Sequence, residues 1–402
     1  MGVEDPTAAC LDRPWMPAVT SSASASNLAS DRRWLPDMNR GIDMFFKCVT
    51  HAPADDRGQA PVVTGGQKHL TVDIHCHVHV PAADALLPPL SATDDSKAPA
   101  TVELTAEINR TQQQTILPKL TDPAIRLTDM DACGIDVQAL SPSPAHYNYG
   151  YPAEIVRETS RIVNDRIAEI VAGNPDRFVG LCTVPLQDVD MAVAELDRCV
   201  KEHGARGVEI STNVNGQDLT RAGLEKFFAR VEQLDVMIFM HPIGTSFTER
   251  MSDHYFTNTI GHPLESALAV GHLVFDGYLE EFPGLKICIA HGGGYVPTYS
   301  GRFDHPYHLR DDCRQIISKP PSEYVKRLYF DTVVFTDHQL RYLVETWGAN
   351  HIVMGTDYPY DMAEPDPVGF VDSTSGLSED QKSTIMGGNA ARLLKLDVVA
   401  SA

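Results

Sequence analysis

Two histidines stand two residues apart in Val72-Asp73-Ile74-His75-Cys76-His77-Val78-His79. In an extended chain, residues i and i+2 share a face, so both imidazoles converge on one side, while Val72, Ile74 and Cys76 are expected to point the other way. Paired imidazoles at a strand end are the donor set of a divalent metal site. Three later apolar runs each end in one polar side chain: Val236–Met240 in His241-Pro242, Leu285–Ala290 in His291-Gly292-Gly293-Gly294, and Ile352–Gly355 in Thr356-Asp357-Tyr358-Pro359. Packing accounts for one such residue but not for three at the same level as His75 and His77. A set of nitrogen donors with one carboxylate suits Zn²⁺ or a similar borderline ion better than Mg²⁺ or Ca²⁺, which prefer oxygen. The glycines after His291 serve either a tight positive-φ loop or the close approach of a ligand.

These side chains must be positioned by something regular. From Leu70 onward, short apolar, β-branched runs alternate with helical patterns, the mark of repeated β-α units on a parallel sheet. The strand candidates are Leu70–His79, Asp136–Ser143, Arg177–Pro185, Ala205–Thr212, Asp235–Pro242, Leu285–His291, Leu328–Phe335 and His351–Pro359. Between them, Asp122 followed by Pro123 reads as an N-cap with proline at the first helical position, and Glu154–Ala172, Val189–Glu202, Leu219–Gln233, Glu265–Glu281, His338–Trp347 and Glu379–Leu394 read as helices. Eight units without a Gly-rich phosphate turn favour an α/β fold closed as a (β/α)8 TIM barrel. In that fold the polar strand-end residues gather at one mouth. The long connection Val80–Thr121 follows the first strand, where such barrels build lids.

Composition bounds the rest. The chain has 402 residues, 43% hydrophobic and 22% charged, with 33 Lys+Arg against 54 Asp+Glu and a formal charge of −21. That charge disfavours nucleic acid and anionic membranes as partners. No stretch approaches a membrane span, and the start, MGVEDPTAAC, lacks a secretory pattern, so a cytoplasmic location is expected. Eight scattered cysteines with no CxxC pair fit reduced, buried thiols. Residues 1–69 form an N-terminal extension to the barrel of residues 70–402. The extension carries a Ser/Ala tract, weak periodicity and a few aromatics (Trp15, Trp34, Phe45, Phe46) able to dock it. No P-loop, GxGxxG or GxSxG sequence occurs, which removes support for nucleotide binding and serine hydrolysis.

The segments HCH (75–77), DPAIRLTDMDACGIDVQALS (122–141), RFVGLCTVPLQ (177–187), MHP (240–242), FPGLKICIAHGGGYVPTYSGR (282–302) and GTDYPY (355–360) together resemble the aminocarboxymuconate-semialdehyde decarboxylase-like group of the amidohydrolase superfamily, over roughly residues 70–395. The resemblance implies one Zn²⁺ held by His75, His77, His241 and Asp357, with His291 as the acid/base residue. It further implies Arg126 and Arg302 as grips on substrate carboxylates, Arg302 acting from the neighbouring subunit of a homodimer. No lysine lies in Val208–Thr212 to bridge a second metal, and HxH in place of a Glu-containing first motif points to the aminocarboxymuconate branch. Ile243-Gly244 and Tyr360 depart from the pattern at positions expected to line the pocket. The implied activity is non-oxidative decarboxylation of a small unsaturated or aromatic carboxylic acid, with a metal-dependent C–C hydrolase or hydratase as the alternative.

Overall fold

The computed structural model describes residues 69–88, 103–245 and 247–396. Residues 1–68 of the extension, its aromatics among them, lie outside the described residues. Eight parallel strands follow one another round the sheet: β1 (Val72–Val78), β2 (Val137–Pro142), β3 (Phe178–Cys182), β4 (Gly207–Ile210), β5 (Met237–Met240), β6 (Lys286–Ile289), β7 (Tyr329–Asp331) and β8 (Ile352–Val353). β8 returns to β1: the Ile74 N–H donates to Met354 O at 3.0 Å and the His77 N–H to Tyr358 O at 2.9 Å. These bonds close a (β/α)8 barrel. All eight strands fall within the segments read from the sequence, because buried parallel strands are continuous apolar runs bounded by turn residues.

The principal helices are α1 (Glu103–Thr121), α2 (Pro123–Cys133), α3 (Ala153–Gly173), α4 (Val189–Glu202), α5 (Glu225–Leu234), α6 (His262–Phe275), α7 (Val296–Leu309) and α8 (Asp337–Trp347). α2 starts as its sequence dictates. The Asp122 carboxylate accepts from the Ala124 N–H at 2.8 Å, Pro123 occupies the first turn, and Gly134 closes the helix at φ 70°. Gly277, at φ 84°, splits the segment read as one helix over Glu265–Glu281 into α6 and the turn Tyr278–Glu281. The connection after β1 also differs from the reading. It contains α1, whose C-terminal end is tied to the site because Leu120 O accepts from the His79 N–H at 3.0 Å.

Strict alternation fails on β1. Its register against β2 slips between Asp73 and Cys76. The bulge turns Asp73 towards Gln138, whose Nε2 donates to it at 2.9 Å, and leaves Val72 and Ile74 clustered with Ala139, Leu181, Met237 and Phe239. Cys76 alone of the expected three packs in the cluster shared with helix residues such as Met130 and Val163. A bulge re-aims side chains at the rim of a barrel, and here it falls beside both motif histidines. Fully buried aromatics (Phe178, Phe228, Phe239, Phe330) fill the core, each contributing about 2–3 kcal/mol by area. Among the described residues no helix is long and apolar enough to cross a membrane.

Candidate metal centre

The strand ends bring His75, His77, His241, His291 and Asp357 together. Ring centroids are 5.1 Å apart for His75 and His77, 5.0 Å for His75 and His241, 4.9 Å for His77 and His241, and 4.8 Å for His241 and His291. Asp357 stands among them: its Oδ1 lies 3.3 Å from His75 Nε2 and 3.2 Å from His77 Nε2, and its Oδ2 lies 3.5 Å from His291 Nε2. One donor atom from each of His75, His241, His291 and Asp357 falls within 4.8 Å of all the others. Two of these residues, His291 (φ 57°) and Asp357 (φ 65°), hold left-handed backbone conformations that cost energy in a non-glycine residue.

The tautomers follow from the partners. His75 Nδ1 lies 2.7 Å from the Asp331 carboxylate and His77 Nδ1 lies 3.1 Å from Pro142 O. Both partners only accept, so both protons sit on Nδ1 and both Nε2 atoms present lone pairs. Those Nε2 atoms are buried and have no hydrogen-bond partner, as are both ring nitrogens of His241. Buried polar atoms are normally satisfied. Orphaned lone pairs around one carboxylate are what a divalent cation would satisfy, so the residues fit a metal. His291 differs: its Nδ1 is buried without a partner and nothing fixes its second nitrogen as in His75 and His77.

Burial alone would raise the Asp357 carboxyl, but the imidazoles of His75, His291 and His77 gathered round it hold it well below the usual range. Burial and the neighbouring imidazoles push His241 well below the ordinary histidine value, keeping it neutral and able to ligate.

Asp331, on β7, was not singled out from the sequence. Besides His75 it accepts from the backbone N–H groups of His291 (3.0 Å), Gly292 (2.7 Å) and Val333 (3.1 Å). Burial opposes its charge, yet the His75 bond and these N–H donors hold its carboxyl low. Glu209 was also passed over. It is fully buried on β4, accepts from the Tyr147 hydroxyl, and sits 3.9 Å from His77 Nδ1, with burial raising its carboxyl. Inward carboxylates on β4 and β7 lie inside apolar runs, and no spacing marks them.

The glycines after His291 are settled as a loop device. Gly292, Gly293 and Gly294 have φ of 60°, 81° and 60°, and a Cβ at each would meet protein atoms at 2.3–2.5 Å rather than open space. Tyr360 lines the site, with its ring 5.4 Å from that of His77 and its hydroxyl 2.6 Å from Ser143 Oγ. Ile243 is exposed on the loop after β5.

The two arginines part company. Arg126 is 2% exposed, with its guanidinium bonded within the protein. One terminal nitrogen donates to Gln138 Oε1 at 3.1 Å, the other to the carbonyl oxygens of His77 and Lys119, and the guanidinium lies 4.8 Å over the Tyr358 ring. All three of these bonds go to protein oxygens, and one of them braces the carbonyl of His77. Arg302 is exposed on α7 and makes no hydrogen bond or ion pair among the described residues.

A second histidine cluster fails as a metal site. His79 Nε2 pairs with Asp84 at 2.9 Å and stacks on His146 at 4.5 Å. His146 Nε2 accepts the Val80 N–H at 2.9 Å, so its proton is on Nδ1, the atom that faces Asp84 at 3.6 Å. A cation on Nδ1 would force that proton to Nε2, against another N–H.

Residues 72–396 match the amidohydrolase family model. The chain belongs to the amidohydrolase family. Within it, the chain falls in the aminocarboxymuconate-semialdehyde decarboxylase-like group. It is 34% identical, over 69% of its own length and 77% of the relative's, to 2-amino-3-carboxymuconate-6-semialdehyde decarboxylase of Dictyostelium discoideum. Among solved structures it resembles 5-carboxyvanillate decarboxylase from Sphingomonas paucimobilis (TM-score 0.71, 26% identity, 81% of this chain and 99% of the other). It also resembles a dihydroxybenzoic acid decarboxylase from Polaromonas that holds manganese and 2-nitroresorcinol (TM-score 0.68, 25% identity, 82% and 98%).

Proposed function

We propose that this amidohydrolase is a cytoplasmic, homodimeric carboxy-lyase that removes CO₂ without oxidation from a small unsaturated or aromatic carboxylic acid of the carboxymuconate or hydroxybenzoate type. The observation that carries the metal-dependent reading is the set of orphaned nitrogens of His75, His77 and His241 around Asp357. These four residues would hold one divalent cation, Zn²⁺ in this proposal. When bound, the cation supplies Lewis-acid polarisation of the substrate's oxygens. His77 belongs to the ligands because a fixed Nδ1–H orients its free Nε2, the arrangement that tunes ligating histidines.

His291 is left as the acid/base residue. Loss of CO₂ breaks a C–C bond and leaves its electron pair on carbon, which must take a proton. His291 holds that proton at Nε2, 3.5 Å from Asp357 Oδ2, and recovers it from solvent. Arg302, unpartnered among the described residues, reaches the neighbouring subunit's site and orients a substrate carboxylate there.

The test strips the protein with chelator, reloads it with Zn²⁺ or Mn²⁺, and follows substrate mass with carboxylated muconates and dihydroxybenzoates. Expected is loss of CO₂ from one class by loaded wild type, and none by His241→Ala or His291→Ala, the latter with its metal retained. A product heavier by one water assigns the hydratase alternative, and indistinguishable wild type and His291→Ala refute the proposal.

A further inference from the structure

His262 opens α6 with its ring half-buried beside the metal centre. It stacks on His291, centroids 5.8 Å apart and planes 20° from parallel, and meets His241 edge-on at 6.2 Å. Its Nε2 accepts the Gly244 N–H at 3.2 Å, in the loop that follows His241 and carries Ile243. An N–H can donate only to a lone pair, so the His262 proton is on Nδ1. That Nδ1 is buried and has no partner among the described residues. His262 therefore keeps a fixed, unspent donor one ring further from the metal centre than the acid/base residue.

We infer that His262 is a specificity-determining residue: its Nδ1–H takes up an uncharged acceptor oxygen of the substrate, a hydroxyl or carbonyl oxygen beside the carboxylate that leaves. The inference rests on the proposed function only in placing a substrate over the metal centre. Because its Nε2 lone pair is taken by the Gly244 N–H, the ring carries one proton only and works as a neutral donor, not as a second cationic grip. A site built around a buried donor discriminates against a ligand lacking the matching oxygen, because the donor is then left unpaired. Position agrees with that task, since the ring contacts His291 and His241 but makes no ring contact with His75 or His77.

The experiment is calorimetry on Mn²⁺-loaded protein with two unreactive probes differing by one hydroxyl oxygen, 2-nitroresorcinol and 2-nitrophenol. Wild type is expected to prefer the first by about tenfold or more. His262→Phe keeps a stacking ring without any N–H. His262→Gln places an acceptor where Nε2 meets Gly244 but supplies no donor at the Nδ1 position. Both are expected to lose the preference, whereas His262→Asn, whose amide nitrogen stands in for Nδ1, keeps part of it. Metal content and unfolding midpoint report on the fold of each variant. Wild-type discrimination in His262→Gln would make His262 a loop anchor only and overturn the inference. Equal binding of the two probes by wild type, or binding of neither, overturns it as well. Discrimination by wild type without CO₂ release from any acid sinks the proposed function and leaves this inference standing.

Discussion

Asp331→Asn isolates the device that ties His75, a proposed metal ligand, to the loop of His291, the proposed acid/base residue. The carboxylate takes four N–H donors: His75 Nδ1 and the His291 N–H on Oδ2, the Gly292 and Val333 N–H groups on Oδ1. Asparagine has one acceptor oxygen. Whichever way its amide turns, its NH₂ faces two buried donors and leaves them unpaired. Each unpaired buried group costs about 1–3 kcal/mol, so the fold should lose about 2–6 kcal/mol. The second effect is on metal. Without its carboxylate partner, His75 loses the charge that strengthens its Nε2 as a donor and, where the NH₂ faces it, its fixed Nδ1–H as well. Loss of such a partner lowers metal affinity about 10–100-fold, or about 1.4–2.8 kcal/mol. Competition with a chromogenic chelator reads the affinity, and urea unfolding of metal-free protein reads the stability. A variant that folds and binds Zn²⁺ within about twofold of wild type refutes the argument that Asp331 orients the ligand.

Three further outcomes are expected to follow from separate parts of the structure. Burial and the neighbouring His79 push His146 down from 6.5 to about 3, so between those pH values the unfolded chain binds a proton that the folded chain refuses. Stability should fall with decreasing pH across that window by about 1.4 kcal/mol per unit, and denaturant unfolding of His146→Gln, which retains an acceptor for Val80, should show a slope smaller by that amount. Arg126→Met removes the brace on the His77 carbonyl and leaves Gln138 Oε1 without its donor; a loss of about 2–4 kcal/mol in unfolding free energy is expected, with KM nearly unchanged. A KM raised more than about tenfold at unchanged stability would instead restore Arg126 to substrate binding. For Arg302, inactive Arg302→Ala and His291→Ala dimers are dissociated, mixed and reassociated. If Arg302 serves the partner's site, each hybrid dimer holds one intact site, and about a quarter of wild-type activity returns at equal mixing, whereas a role within its own chain returns none.

The barrel was legible because its signal is redundant. Most strands are buried apolar runs, α3, α4, α5 and α8 each have an amphipathic face, and Asp122-Pro123 and Gly134 announce the ends of α2 by local chemistry that tertiary contacts do not override. The convergence of the strand-end residues was legible for a related reason. His241, His291 and Asp357 each follow such a run, and in a parallel barrel everything just past a strand's C-terminal end is carried to one mouth. The bulge in β1 was not legible. Alternation assigns faces only while register holds, and the slip between Asp73 and Cys76 depends on pairing with β2, which no local pattern in β1 records.

Arg126 shows the sharper limit. Its place in the motif DPAIRL promised a substrate grip, and an arginine fork does suit a carboxylate, but the same fork suits two carbonyl oxygens and an amide oxygen. Which partner it meets depends on whether the α2 face it occupies turns towards the barrel mouth or the outer wall of β1. That is set by how α2 packs beside α1, and α1 itself lay in the long connection read as a lid-like insertion. Asp331, Glu209 and His262 fail for the complementary reason. Each is one polar residue in apolar or helical surroundings, where a satisfied structural group is the commoner outcome, and only the absent partner of a nearby atom distinguishes them. His75 Nε2, His241 and His262 Nδ1 are identified by bonds they do not make. A list of residue types carries no trace of a missing bond; it appears only when every neighbour has been placed.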